Sequence, residues 1–166
     1  MTQILDFRNV DLFYDHVHAL RNVSLSVNEG ETVALIGANG AGKSSILRAI
    51  TGLRKIRKGE IFYSGHRIDG RNPAELVKSG IAMVPEGRGV FTRMTILENL
   101  QMGAHIRNDK ADILPDIDRV FGIFPRLKER QHTEAGVMSG GEQQMLTLCR
   151  SLMGDPDLII IDEPTE

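Results

Sequence analysis

A chain of 166 residues and 18.4 kDa has the length of one ordinary domain. Twenty basic against 22 acidic side chains leave a formal net charge of −2, so no whole-molecule field draws it to nucleic acid or anionic lipid. A composition 41% hydrophobic and 25% charged excludes disorder as the main state, and the apolar runs 33–36 and 158–161 fall far short of the ~20 residues of a membrane-spanning helix. Asp6 and Arg8 interrupt the N-terminus before a signal-peptide core could form, and Cys149 has no second cysteine to pair with; both favour a reducing cytoplasm.

In chain order, Ile4–Val10 and then Ala19–Val27, where Leu20, Val23, Leu25 and Val27 mostly alternate with polar residues, predict a half-buried antiparallel layer. After a turn at Asn28-Glu29-Gly30-Glu31, the uninterrupted run Thr32–Ile36 predicts a strand buried on both faces of a parallel sheet. A Gly-rich loop follows, and from Lys43 the spacing of Ile46, Leu47, Ile50 and Leu53 predicts a helix with Gly52 near its end. Lys58–Gly65 reads as a strand running into a turn, Pro73–Gly80 as a short helix, and Ile81–Val84 as a return to the sheet. Between Pro85 and Pro156 the pattern is helical: Thr95 and Glu98 have capping-box spacing, and Ile117, Val120, Phe121 and Phe124 form a stripe. Leu158–Ile161 is a buried strand.

Gly37-Ala38-Asn39-Gly40-Ala41-Gly42-Lys43-Ser44 matches G-x-x-x-x-G-K-[ST] between an apolar strand and an amphipathic helix, the context that gives the motif meaning. Glycines let consecutive backbone N–H groups turn inward around a phosphate while the helix presents its positive end to the same anion. Lys43 neutralises β and γ oxygens, and the Ser44 hydroxyl is a ligand for Mg²⁺. Asp162 and Glu163 end the last apolar strand, outside its carboxyl end, and adjacent strand residues point opposite ways. Asp162 is therefore assigned to Mg²⁺ and Glu163 to polarising the attacking water as general base. Ser139-Gly140-Gly141-Glu142-Gln143 carries two readings: a capping box opening a helix whose apolar face is Met145, Leu146, Leu148, Cys149, Leu152 and Met153, or two glycines baring amides as an anion site.

These motifs in this order, with Val84-Pro85-Glu86-Gly87-Arg88 and Phe124-Pro125-Arg126-Leu127, resemble the ATP-binding cassette family of transport ATPases along the entire chain, and most of all its branched-chain amino acid import subunits. The resemblance implies an α/β fold of the P-loop NTPase kind, with an N-terminal antiparallel β layer and a helical subdomain inserted within 85–156. Residues 1–166 would then be an incomplete nucleotide-binding domain whose final third, with a switch histidine, is missing, and the chain alone would be inactive. It implies ATP bound by Tyr14, stacked on adenine, by Gly37 through Ser44 and Ser45, and, from an opposing subunit, by Ser139, Gly140, Gly141 and Glu142. Ser44, Glu86 and Asp162 would hold Mg²⁺, and Glu86 and Glu163 would act on the attacking water. Phe91, Arg88 and Arg93 would lie near the groove for the membrane subunit. The implied activity is ATP hydrolysis coupled to uptake. Its partners are a second cassette, identical or sister, transmembrane permease subunits and, indirectly, a substrate-binding protein. Nucleic acid is not among them, and the place is the cytoplasmic face of the cell membrane.

Other readings are a urea, amide or lipopolysaccharide transporter's cassette, a non-catalytic nucleotide-binding fragment, a small-molecule kinase or GTPase, and a cassette of translation or DNA repair. The kinase and GTPase reading leaves 139–141 unexplained, and no Asn-Lys-x-Asp guanine motif is present. His16-Val17-His18 sets two rings on one strand face, too few for a structural zinc's usual four ligands.

Overall fold

The computed structural model describes residues 2–87 and 89–162, which fall into two compact units divided after Ser79. The first unit is built on a four-stranded antiparallel sheet in the order β2-β1-β3-β4, where β1 is Gln3–Tyr14, β2 Val17–Asn28, β3 Lys58–Tyr63 and β4 His66–Arg67. The two predicted strands are real and longer than the pattern suggested, closing into a hairpin at Asp15-His16. Their alternation falters between Leu20 and Val23 because Asn22 takes φ 50° where the β1–β2 register shifts. Asp11 Oδ1 accepts the Asn22 amide at 2.8 Å and Ser24 Oγ accepts that of Asn9 at 2.8 Å, which stitches the irregular stretch together. Leu5, Phe7, Val10 and Leu12 of β1 are buried together with Leu20 and Ile61.

Helix α1, Lys43–Ile50, adds Ile46, Leu47, Ala49 and Ile50 to the buried side chains of this unit. It stops one turn earlier than the apolar spacing predicts: Gly52 takes φ 72° and Leu53 is exposed. Helix α2, Pro73–Lys78, starts where Asn72 Oδ1 accepts the Ala74 amide, with proline in the first turn, where its missing N–H costs nothing.

The predicted strand at 32–36 does not form. Among the described residues no strand pairs with it, and Ile36 is 95% exposed. An apolar run states a demand for burial but supplies no ladder partner, and the sheet of this unit is already assigned to four other strands.

The second unit pairs β5, Ile81–Val84, with β6, Leu158–Ile161, in parallel, Val84 beside Ile161, and four helices lie between them in the chain. These are α3, Ile96–Gly103; α4, Ile113–Ile123; α5, Pro125–Glu129; and α6, Gly140–Leu152. Thr95 and Glu98 make the capping box of α3, as their spacing predicts. Leu100, Leu146 and Cys149 are fully buried with Ile117, Val120 and Phe121 in one apolar cluster, each large aliphatic side chain worth ~1.5–3 kcal/mol. On α6 the predicted apolar face is only half right: Leu146, Cys149 and Met153 are buried, but Met145 and Leu152 are exposed and Gln143 and Thr147 are buried instead. Their donors turn to backbone, Gln143 Nε2 to Ala135 O at 2.9 Å and Thr147 Oγ1 to Gln143 O at 2.8 Å, while the buried Gln143 Oε1 has no hydrogen-bond partner among the described residues. Among the described residues no helix is long and apolar enough to cross a membrane.

Candidate functional site

The Gly-rich loop enters α1 through two left-handed residues, Gly40 at φ 82° and Gly42 at φ 98°. A Cβ on Gly40 would touch nothing, so its requirement is conformational; a Cβ on Gly42 would lie 2.9 Å from Leu20 Cδ2 and 3.1 Å from Ala19 O. Ala38 O accepts the Ala41 amide at 3.0 Å, making a tight turn around Asn39. Gly42 is the N-cap of α1, no side chain caps the helix, and its first turn holds no acidic residue. The positive helix end thus faces the loop with no side-chain cap and no carboxylate in its first turn. The Lys43 ammonium reaches back across it, donating to Gly37 O at 2.8 Å and Ala38 O at 3.1 Å. Anionic oxygens are better acceptors for an ammonium than these neutral carbonyls, so a polyphosphate gains on exchange. Ser44 and Ser45 follow in the first helical turn.

Tyr14, at the end of β1, leans on that same turn, its hydroxyl near Ser45 and Arg48. Burial alone would lift its pKa, but these two neighbours and the charge of Arg54 outweigh burial and hold the phenol below its usual value. The Arg54 guanidinium lies over the ring, 4.6 Å from its centroid. Arg48 and Arg54 were not singled out by the sequence pattern; no motif marks an arginine that meets a ring only through the fold. The two histidines beside Tyr14 do not share a face. His16 sits in the hairpin turn, while His18 stacks on Phe13 at 4.0 Å and lies 3.2 Å from Asp11. A strand face would have required the chain to remain extended at His16, where it turns instead.

In the second unit, parallel pairing brings the ends of β5 and β6 to one edge of the sheet. Val84 O accepts the Asp162 amide at 3.0 Å, which fixes Asp162 beside the Pro85-Glu86-Gly87 bend. Asp162 is 5% exposed, whereas Glu86 projects from an exposed bend. Glu163 and Arg88 lie outside the described residues. At the same edge a cavity of about 290 Å³ is lined by Val84, Pro85, Gly87, Gly141, Met145 and Asp162 among others, so two of the candidate residues, Gly141 and Asp162, face one space.

Ser139 N-caps α6, and the capping box is complete: Ser139 Oγ accepts the Glu142 amide at 3.3 Å, and Glu142 Oε2 accepts the Ser139 amide at 2.9 Å. Bonds from the Ser139 amide and hydroxyl, then the nearby Arg130 and Arg126 charges, hold the Glu142 carboxyl below its ordinary range despite some desolvation. A cap alone does not call for glycine at the next positions. Gly141 needs no left-handed φ, and a Cβ there would meet nothing within 4 Å, so nothing inside the chain demands the missing side chain.

The candidate metal ligands, the Ser44 hydroxyl and the Asp162 and Glu86 carboxylates, are hard oxygen donors suited to Mg²⁺. Among the described residues no group of three or more His, Cys, Asp and Glu could hold a metal ion by itself.

Residues 20–166 match the model of the family described as ABC transporter. The chain is 47% identical over 162 residues to the high-affinity branched-chain amino acid transport ATP-binding protein BraG of Pseudomonas aeruginosa, covering 98% of this chain and 69% of that protein. It is 35% identical over 152 residues to the probable branched-chain amino acid transport ATP-binding protein LivF of Archaeoglobus fulgidus, covering 92% of this chain and 64% of that one. Among solved structures, a nucleotide-free ATP-binding cassette from an ABC transporter superposes with a TM-score of 0.84 at 29% identity, over 99% of this chain and 70% of its own. A dimeric cassette in a post-hydrolysis state bound to ADP and Pi gives 0.85 at 25% identity, over 98% and 75%.

Proposed function

Because this chain belongs to the ABC transporter family, we propose that it is the ATP-binding subunit of an importer, coupling ATP binding and hydrolysis to uptake of branched-chain amino acids through partner permease subunits. One observation carries the nucleotide part of this reading: an uncapped helix end, entered through left-handed glycines, with the Lys43 ammonium held across it by loop carbonyls. The cargo rests on the likeness to the two transport proteins of Pseudomonas and Archaeoglobus.

In this mechanism the amides of 37–44 and the Lys43 ammonium bind the β- and γ-phosphates, and Tyr14 orients the base. Ser44, Asp162 and Glu86 would hold Mg²⁺, which when bound would supply charge neutralisation for the leaving diphosphate. Glu163 accepts a proton from the water that attacks the γ-phosphorus as its bond to the bridging oxygen breaks, with Glu86 helping to orient that water; ADP and phosphate result. Gly140 and Gly141, at a helix start whose cap Ser139 and Glu142 fix, bring amides to the γ-phosphate of a second cassette, so ATP is an interfacial ligand. The subunit works at the inner face of the cell membrane beside its permease partners, and a substrate-binding protein meets it only through them.

Isothermal calorimetry tests the core of this: Lys43→Ala is expected to weaken ATP binding by at least tenfold, since a charge-assisted bond to phosphate contributes ~1.5–3 kcal/mol. Unchanged affinity refutes the loop assignment.

A further inference from the structure

Tyr14 is held at two points, and only one of them belongs to the phosphate helix. Its hydroxyl lies near Ser45 and Arg48 of α1, while the Arg54 guanidinium lies over its ring at 4.6 Å. Arg54 is not a loose surface charge that happens to fall there: its amide donates to Arg48 O at 3.0 Å, which ties its backbone to the end of the same helix. The next residue back along β1 displays the same arrangement in completed form. Phe13 takes the Arg57 guanidinium at 4.8 Å together with a flat heteroaromatic ring, His18, stacked at 4.0 Å with only 15° between the planes. One ring at the end of this hairpin thus already holds a cation and a planar nitrogen heterocycle together.

We propose that Arg54 is a positioning residue for the nucleobase, backing the half-buried Tyr14 ring so that its opposite face meets a purine, as His18 meets Phe13. The proposal rests on the reading of Tyr14 as the adenine platform and adds a residue to it. A guanidinium over one face draws π-density toward itself and leaves the other face less negative, which favours stacking of an electron-rich purine. The backbone bond from Arg54 to Arg48 O sets where beside the end of α1 that ring is backed, and therefore how far the base sits from the loop that takes the phosphates. Arg54 touches neither phosphate nor reacting atoms in this scheme; it acts through Tyr14.

The test compares two probes on the full chain, ATP and inorganic tripolyphosphate, by calorimetry. Arg54→Ala is expected to weaken ATP about three- to fivefold, the range of a partly exposed cation–π contact, with tripolyphosphate binding unchanged. Arg54→Lys, which keeps the cation, is expected to restore part of the loss. The chain has two tyrosines and no tryptophan, so in a Tyr63→Phe background the tyrosine emission reports Tyr14 alone. The ATP-induced change in that emission is expected to shrink in Arg54→Ala. Equal losses for ATP and tripolyphosphate, or ATP binding that stays the same or tightens in Arg54→Ala, overturn the role of Arg54 if Tyr14→Ala still weakens ATP. ATP affinity unchanged in Tyr14→Ala overturns the platform reading itself, and the proposal with it.

Discussion

Asn99 has no exposed surface, and one carboxamide serves the whole bend before α3. Its Oδ1 accepts the Phe91 amide at 2.9 Å, and its Nδ2 donates to Phe91 O at 3.0 Å and Thr95 O at 2.9 Å. Replacing it with alanine takes the side-chain acceptor from the part-buried Phe91 amide, while the Phe91 and Thr95 carbonyls keep backbone donors, so Asn99→Ala is expected to cost ~1–2 kcal/mol, read as a lowered urea midpoint with an unchanged slope. Nothing in the sequence advertised this residue: an asparagine inside a helical stretch looks like solvated surface until the loop it closes is known. Gln143 and Thr147 escaped for the same reason, since a polar side chain becomes core only when a backbone carbonyl stands opposite. By contrast, Gly40, Gly42 and Lys43 were legible because their requirement is local, a left-handed turn and a charge at a helix end, and it is met within eight residues.

At the scale of elements, the close approach of α3 and α6 depends on Gly103. A Cβ there would fall 2.1 Å from the Arg150 carbonyl oxygen and 2.9 Å from its Cγ, with backbone on one side of the clash, so it cannot be relieved by a rotamer change alone. Gly103→Ala is expected to destabilise by ~1–3 kcal/mol through overpacking, although alanine is the better helix former; thermal melting shows which effect wins. The two complete capping boxes give these helices a pH dependence of definite sign. Bonds from Thr95 and from Ser139 hold the Glu98 and Glu142 carboxyls below their ordinary values. A depressed folded-state pKa means stability present above the usual carboxylate range and lost as pH falls through the lowered values. The double variant Glu98→Gln with Glu142→Gln keeps acceptors at both caps but no titration, so its urea midpoint is expected to vary less with pH on the acid side. Both boxes could be read from spacing alone, because a cap is an interaction of residues three apart. The run 32–36 could not, because a strand's existence depends on a distant partner that composition does not name.

For the molecule as a whole, charge and local chemistry pull in different directions. Two copies each with a formal net charge of −2, each carrying a polyanionic nucleotide, repel at long range. In the proposed scheme ATP-driven pairing must then come from short-range donors, the helix-end amides at Gly140 and Gly141 beside the Ser139 cap. This makes the two readings of that segment separable by a single substitution with opposite effects. A carboxylate in the first turn of α6 interacts favourably with the helix dipole, so Gly141→Asp is expected to hold or raise thermal stability, by ~0.3–1 kcal/mol, in space that is open around the missing Cβ. The same carboxylate repels an incoming γ-phosphate. In a Glu163→Gln background, which retains bound ATP by removing the proposed base, sedimentation velocity is expected to show ATP-dependent pairing that Gly141→Asp abolishes. A variant that is as stable as its parent and still pairs on ATP would mean that Ser139-Gly140-Gly141 only starts a helix, and the interfacial role would have to be given up.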